Sequence, residues 1–199
     1  MIQSIAEFIV DRQIKSGKLT SEAKGVFCYG YEVIISSIFH FLLSLVIGML
    51  FRRPLEMAIF LAGYTFLRTY AGGYHAPKRI ICSTISLGVV IAVGLINHIR
   101  YDQIPEWGLY SVLLSLTVFI SVLSPVEAIN KALNSNEKRR NKHITIGLLL
   151  FWDLLSYLSD TFLNSKVLLF NIVLVYVFVF LLQILGTLKY KRYCKEKYH

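Results

Sequence analysis

Long apolar runs alternate with short polar segments along most of this chain. The six runs cover residues 26–51, 55–67, 80–99, 108–123, 144–158 and 167–188. A helix needs about 20 apolar residues to cross the roughly 30 Å hydrocarbon core of a bilayer. The first, third and sixth runs reach that length comfortably, whereas the second is short and the fifth is interrupted by Asp153. The pattern predicts an all-α polytopic membrane helix bundle with about six transmembrane segments; four spans with two re-entrant segments is the alternative.

The first 19 residues have a helical apolar pattern instead of a continuous apolar run. The apolar stripe is formed by Ile2, Ile5, Ala6 and Ile9, which follow the i, i+3, i+4, i+7 spacing of one helix face. Segment 1–19 lacks the small-residue cleavage site of a signal peptide. We interpret it as an amphipathic helix in the membrane interface. An ordinary helix packed on the rest of the domain fits the pattern equally well.

The composition supports a membrane protein and excludes several other classes. Of the 199 residues, 55% are hydrophobic and 17% are charged, whereas soluble globular domains have about 25% charged residues. Such a chain is too apolar to cover its own surface with polar groups. The absence of a glycine period, a sustained heptad and a charge-rich tract excludes collagen, coiled coil and disorder. We therefore expect residues 1–199 to form a single integral membrane domain.

The net charge of +9 would by itself suggest a nucleic-acid partner, so the distribution of the charges matters. If the amino terminus is cytoplasmic, 17 of the 21 Lys and Arg residues fall on the inside, including those of a basic tail at 189–199. The four outside residues are Arg52, Arg53, Arg100 and Lys166. This asymmetry predicts a multi-pass cell-membrane protein with both termini cytoplasmic. Contact with anionic membrane lipid is a secondary expectation, and no nucleic acid is expected as a partner.

The connection between the second and third runs carries the candidate chemistry. His75 and Cys82 are seven residues apart, which on one continuous helix separates them by about 10.5 Å along the axis. That is too far for the roughly 3 Å proton transfer between a nucleophile and its base. The Gly-Gly pair at 72–73 and Pro77 permit a break in the helix. We expect His75 on a non-helical turn and Cys82 in the second turn of a helix that Pro77 opens.

The charges around Cys82 favour its reactive form. A helix amino terminus carries partial positive charge, and Lys78 and Arg79 add two full charges, which together favour thiolate over thiol. A thiolate beside an imidazole is the arrangement of cysteine peptidases. From the residues alone, a structural turn with a packed cysteine is the alternative. The three scattered cysteines fit neither a disulfide framework nor a zinc site, and we expect no metal and no cofactor.

The motif residues also resemble a known family. Arg68, followed by Ala-Gly-Gly-Tyr-His-Ala at 71–76 and then Cys82, resembles the signature of the AgrB (accessory gene regulator B) family of Gram-positive quorum sensing. Ser-Pro-Val at 124–126 ahead of a basic loop is similar too, although Ala132 stands where a second proline is common. The length, the basic amino-terminal helix and the six apolar runs are also similar to this family.

The resemblance implies a membrane cysteine endopeptidase, with Cys82 as the nucleophile and His75 as the general base. The implied substrate is an AgrD-type propeptide with an amphipathic leader and an acidic tail. Cleavage of the tail through a thioester would precede cyclisation to a thiolactone or lactone. Arg68 and Gly73 match other functional motif positions, to which we assign substrate or oxyanion electrostatics and turn geometry. Homodimerisation is a further expectation from the family.

Two other readings stay open at this point. A small transporter or peptide exporter without covalent chemistry would also carry intramembrane charges, and a scaffolding membrane protein would need neither His75 nor Cys82. Glu32 and Asp153 lie within apolar runs, where carboxylates are costly and often functional. We favour structural pairing between helices for both over a role beside His75 or Arg68.

Overall fold

The computed structural model describes residues 2–17, 19–20, 23–74, 79–98, 103–127 and 133–197. Within these residues the chain forms seven helices and no strand beyond one isolated bridge. The helices are α1 (Ile2–Lys15), α2 (Lys24–Leu50), α3 (Pro54–Ala71), α4 (Arg79–Ile96), α5 (Glu106–Leu123), α6 (Ser135–Leu163) and α7 (Val167–Lys197). Helix α1 corresponds to the amphipathic segment, and α2 to α7 correspond in order to the six apolar runs. The predicted all-α membrane bundle is confirmed.

The helices differ in their ability to cross a bilayer. In the described part of the chain, α2, α5, α6 and α7 are long and apolar enough to span, and the apolar part of α4, Thr84–Ile96, is shorter. Helix α6 runs unbroken for 29 residues, so Asp153, which interrupts the fifth apolar run, does not interrupt the helix. Two hydroxyl groups from neighbouring helices donate hydrogen bonds to its carboxylate, so the polar side chain is accommodated without a change in the backbone. The count of six crossings stays a prediction.

Contacts divide the chain into two compact units, Met1–Val46 and Ile47–His199. In the first unit, polar contacts join α1 to α2: Gln13 Nε2 donates to the Tyr31 hydroxyl at 2.7 Å, and Lys24 pairs with Asp11 at 2.6 Å. Ala6 and Val10 of α1 are fully buried, whereas Ile5 and Phe8 are exposed. Helix α1 therefore has one buried face and one exposed apolar face. Its position in the membrane interface stays a prediction. That 1–199 forms a single domain also stays a prediction.

In the second unit α7 is the central helix and packs against α3, α5 and α6. Residues 169–176 of α7 are all buried, as expected for a helix that is apolar on every side. Helix α7 continues to Lys197, so most of the basic segment predicted as a tail at 189–199 forms the last turns of the same helix. Cations at a helix carboxyl terminus interact favourably with its dipole, which helps the helix to continue there.

Hydrogen bonds between polar side chains join the helices of this unit. Asp153 of α6 accepts hydrogen bonds from the Tyr176 hydroxyl of α7 at 2.9 Å and from the Thr117 hydroxyl of α5 at 3.0 Å. Asn97 donates to the side-chain oxygen of Asn171 at 3.1 Å. Hydrogen bonds between helices are a common means of association in membrane bundles. The structural pairing predicted for Asp153 is therefore confirmed.

Candidate functional site

The motif residues lie where α3 ends. The last helical residue is Ala71, and the amide of Gly72 bonds back to the carbonyl of Arg68 at 3.2 Å. Gly72 has φ +74° and ψ −163°, a backbone region that is essentially restricted to glycine. A Cβ atom at this position would overlap the carbonyl oxygen of Val126. The predicted helix break at the Gly-Gly pair is therefore confirmed, and we refer to residues 71–74 as the motif segment.

The connection that follows α5 holds the motif segment on one side. The amide of Val126 donates to the carbonyl of Ala71 at 3.0 Å, and Gly72 and Val126 form an isolated parallel bridge. Val126 belongs to the Ser-Pro-Val motif, whose Ser124–Pro125 peptide bond is cis. Two motifs more than 50 residues apart in sequence therefore lie side by side in the fold.

Helix α7 holds the motif segment on the other side. The amide of Tyr74 donates to the carbonyl of Leu182 at 2.8 Å. The side chain of Gln183 donates to the carbonyl of Ala71 at 3.2 Å and to the hydroxyl of Ser124 at 2.8 Å. Since a Cβ atom on Gly186 would come within 2.7 Å of the Gly73 carbonyl carbon, the close approach of α7 depends on glycine at that position.

Arg68 binds the motif segment from within α3. Its Nη2 donates to the carbonyl of Tyr74 at 2.8 Å, and the guanidinium lies 5.9 Å from the ring centroid of Tyr64. Its Nη1 is buried and has no hydrogen-bond partner among the described residues. Nη2 of Arg68 thus holds the motif segment through the Tyr74 carbonyl. Nη1 can still donate a hydrogen bond to a ligand. The assignment of Arg68 to substrate electrostatics stays a prediction.

The other predicted site residues lie within the motif segment or follow it in the chain. His75 and Lys78 lie outside the described residues. Arg79 and Cys82 belong to α4, which as described begins at Arg79, so Cys82 is its fourth residue; the structure does not describe their side chains. Gly73 has φ +142°, a conformation compatible with the turn assigned to it. The pairing of His75 with Cys82 stays a prediction.

Glu127, which follows Val126, forms an ion pair with Lys138 of α6. Lys138 Nζ lies 2.7 Å from Glu127 Oε1, and the amide of Leu133 also donates to that oxygen at 3.4 Å. The hydrogen bond from Lys138 holds the pKa of the Glu127 carboxyl below its ordinary value. On the α7 side, Lys189 Nζ lies 4.9 Å from the ring centroid of Tyr74. Lys189 and Arg68 therefore place cationic groups beside Tyr74, whereas the charge of Lys138 is paired with Glu127.

Sequence reasoning missed the two residues of α7 that contact the motif segment most closely. Gln183 is one of two side-chain amides within the apolar run 167–188, the other being Asn171, and Gly186 follows three residues later. An amide in such a run is a signal by itself, because an unpaired polar group is costly in an apolar environment. Among the described residues no cluster of His, Cys, Asp and Glu side chains could hold a metal ion.

Comparison with known proteins identifies one matching family and several similar proteins. The family model described as Accessory gene regulator B matches residues 2–187. A putative AgrB-like protein 2 of Clostridium perfringens is 24% identical over 146 residues, which cover 70% of this chain and 68% of that protein. Accessory gene regulator protein B of Staphylococcus haemolyticus is 23% identical over 140 residues, covering 70% and 73%. Protein FsrB of Enterococcus faecalis is 30% identical over 105 residues, covering 53% and 40%. No solved structure matches the chain.

Proposed function

Because this chain belongs to the accessory gene regulator B family, we propose that it is a membrane cysteine endopeptidase that removes the acidic tail of an AgrD-type propeptide and promotes cyclisation of the remainder. Family membership supports a role in the processing of an accessory gene regulator quorum-sensing peptide. The proposal adds the chemistry of that processing and the residues that perform it.

The observation that carries the proposal is the bracing of the motif segment at the end of α3. Backbone or side-chain bonds from three other parts of the unit hold residues 71–74, and His75 is the next residue in the chain. Helix α3 ends at Ala71, before His75, and the proposal adds a further break between His75 and Cys82, because one continuous helix would separate them by about 10.5 Å. Because Cys82 is the fourth residue of α4 as described, it lies near a helix amino terminus, where a thiolate is favoured.

In the proposed reaction His75 accepts the proton of the Cys82 thiol, and the thiolate attacks the carbonyl carbon that precedes the propeptide tail. The carbon–nitrogen bond breaks, and His75 returns the proton to the departing amine. The product is a thioester between Cys82 and the peptide. A cysteine thiol or serine hydroxyl within the peptide then attacks this thioester. Its proton passes through His75 to the Cys82 thiolate, which leaves as the ring closes.

Arg68 fits the electrostatic role in this scheme. Its Nη1 is a buried donor without a partner in the described part of the chain, and a fixed cationic donor stabilises the negative oxygen that develops during acyl transfer. Lys78 and Arg79 support the thiolate, and the cations near the motif segment suit an acidic peptide tail.

The orientation of the chain completes the proposal. We place both termini in the cytoplasm because 17 of the 21 Lys and Arg residues then lie on the inside. The motif segment would then lie on the cytoplasmic side, where a newly made propeptide arrives. A membrane-impermeant thiol reagent added to intact cells should label the Asp102→Cys variant and leave the Asn136→Cys variant unlabelled, and the reverse pattern would contradict this orientation.

The proposal is tested by co-expressing the chain with the small peptide encoded beside it and analysing the peptide products by mass spectrometry. Cys82→Ala and His75→Ala should each abolish removal of the tail while membrane insertion is unchanged. Cys28→Ala is the matched control, because Cys28 is a partly buried free thiol of α2, and it should process the peptide normally. A peptide still cleaved by Cys82→Ala would disprove the peptidase mechanism and favour an exporter without covalent chemistry.

A further inference from the structure

Gln183 joins three parts of the chain that are far apart in sequence. Its side chain is fully buried in α7. The amide nitrogen donates to the Ala71 carbonyl at 3.2 Å and to the Ser124 hydroxyl at 2.8 Å. An amide has two N–H donors, so these two bonds use the full donor capacity of Gln183. One side chain thus links the end of α3, the end of α5 and the middle of α7.

The Ala71 carbonyl, which accepts one of these hydrogen bonds, lies at the carboxyl-terminal end of α3. Ala71 is the last residue of the helix, and the final carbonyls of a helix have no partner within it. The Ala71 carbonyl instead accepts from both Gln183 and the amide of Val126. Replacing Gln183 by an apolar residue would leave this carbonyl with one partner and would leave Ser124 without this donor.

The neighbours of Gln183 fix the other end of the motif segment. The Leu182 carbonyl accepts from the amide of Tyr74 at 2.8 Å. Gly186, one helical turn further on, leaves space for this contact, because a Cβ atom there would come within 2.9 Å of the Tyr74 nitrogen. Adjacent residues of α7 therefore hold the first and last residues of the motif segment, and His75 follows directly.

We propose that Gln183 is a positioning residue for the peptidase reaction, acting through the Ala71 carbonyl and the Ser124 hydroxyl to present His75 to Cys82. The inference rests on the proposed function and names a residue that touches neither the substrate nor the reacting atoms. In this proposal Gln183 affects the reaction only through the position of His75 relative to Cys82. The two bonds from Gln183 hold the Ala71 carbonyl against Ser124 and so help to fix the motif segment, from which the backbone continues to His75.

The first test measures the reactivity of the Cys82 thiol without any substrate. The full chain carries Cys28→Ser and Cys194→Ser, which leave Cys82 as its single thiol, and is treated with iodoacetamide at neutral pH in detergent micelles. His75→Ala should slow alkylation about tenfold, since a thiol that loses its basic partner has less thiolate. Gln183→Met, which keeps the length of the side chain and removes both donors, should slow alkylation to a similar extent.

Asn171→Leu is the matched control. Asn171 lies on the same helix, is also fully buried, and bonds to Asn97 and to the Val167 carbonyl, away from the motif segment. A distant and independent change should leave alkylation of Cys82 within about twofold of the parent rate. Equal slowing by Asn171→Leu and Gln183→Met would reduce the role of Gln183 to general stability and would overturn the inference.

The second test is cleavage of the co-encoded propeptide. Gln183→Met should lower kcat roughly 10- to 100-fold with little change in KM, which is the range of a misplacement of about 1 Å at a reacting group. If this variant is not inserted into the membrane, Gln183→Asn takes its place, because the shorter amide cannot reach both acceptors. A parent-like kcat in the inserted variant overturns the inference.

The outcomes separate the two proposals. If His75→Ala slows alkylation and Gln183→Met does not, the positioning role is wrong and the peptidase pair stands. If His75→Ala leaves alkylation at the parent rate, the pairing of His75 with Cys82 fails, and the role of Gln183 fails with it.

Discussion

The two ends of α3 are held in different ways. At its start, Pro54 occupies the first turn, Arg53 pairs with Glu56 at 2.9 Å, and the amide of Arg53 bonds to the carbonyl of Gly48 at 2.9 Å. All of these contacts lie within nine residues of sequence. At its end, the motif segment is held mainly by residues of the α5–α6 connection and of α7, more than 50 and more than 100 positions away.

The difference between the two ends of α3 indicates which end the tertiary structure holds in a fixed geometry. A helix start can be completed by near neighbours at little cost in chain entropy, and proline suits that position. Bonds between remote segments form only when the whole unit is folded, because closing long loops costs entropy. Such bonds concentrate at the end of α3 that leads to His75. We therefore expect substitutions at this end to disturb activity and substitutions at the start to be tolerated.

The largest effect is expected for Gly72→Ala. The backbone at Gly72 is in a glycine-only region, and an added methyl group would overlap the Val126 carbonyl. We expect a loss of about 3 kcal/mol or more in the free energy of unfolding, the upper range for a strained residue, and a loss of propeptide cleavage. The thermal unfolding midpoint in detergent, followed by tryptophan fluorescence, measures the stability.

Gly147→Ala is the control for this change. Gly147 lies in α6 with open space around the position of a Cβ atom, and alanine is the better helix former by up to about 1 kcal/mol. Its unfolding midpoint should be unchanged or slightly higher. Equal midpoints for Gly72→Ala and Gly147→Ala would show that the end of α3 is not held as described.

An intermediate effect is expected for Arg68→Lys. The guanidinium donates to the Tyr74 carbonyl with one nitrogen and has a second buried nitrogen without a partner in the described part. Lysine keeps the charge but cannot reproduce this planar fork. Loss of a hydrogen bond from a charged group costs about 1.5–3 kcal/mol, so kcat/KM for propeptide cleavage should fall roughly 10- to 100-fold. Cleavage within a factor of two of the parent would contradict a role for the fork.

The smallest effect is expected for Glu56→Gln at the start of α3. The change removes the ion pair with Arg53, whose side chain is 39% exposed although that of Glu56 is only 10% exposed. Glutamine keeps the shape of the buried side chain and leaves Arg53 accessible to water, so the loss should stay near the value of about 1 kcal/mol or less for partly exposed pairs. The unfolding midpoint should fall slightly, and propeptide cleavage should stay at the parent level. If Glu56→Gln impaired cleavage as strongly as Arg68→Lys, the contrast between the two ends would be lost.

The apolar pattern predicted the fold well because membrane helices have a strong local signal. Each of the six runs forms a helix, and α3 stops at the Gly-Gly pair as expected. The sequence predicted that Asp153 pairs between helices but did not identify its partners, because the hydroxyl groups of Thr117 and Tyr176 come from other helices. The motif residues could be recognised as candidate site residues from their residue types and spacing. Gln183 and Gly186 could not be assigned to the site, because the residues that they contact are remote in sequence.

The sequence by itself determined that this chain forms an all-α membrane bundle, that its cations are distributed unevenly, and that α3 ends at a glycine pair before His75. These properties follow from hydropathy, charge and backbone freedom, which act locally. Only the tertiary structure decided that the Ser-Pro-Val motif and α7 hold the motif segment from two sides. Those contacts depend on how distant helices pack, and a buried amide finds its acceptors only after the packing brings them within hydrogen-bond distance.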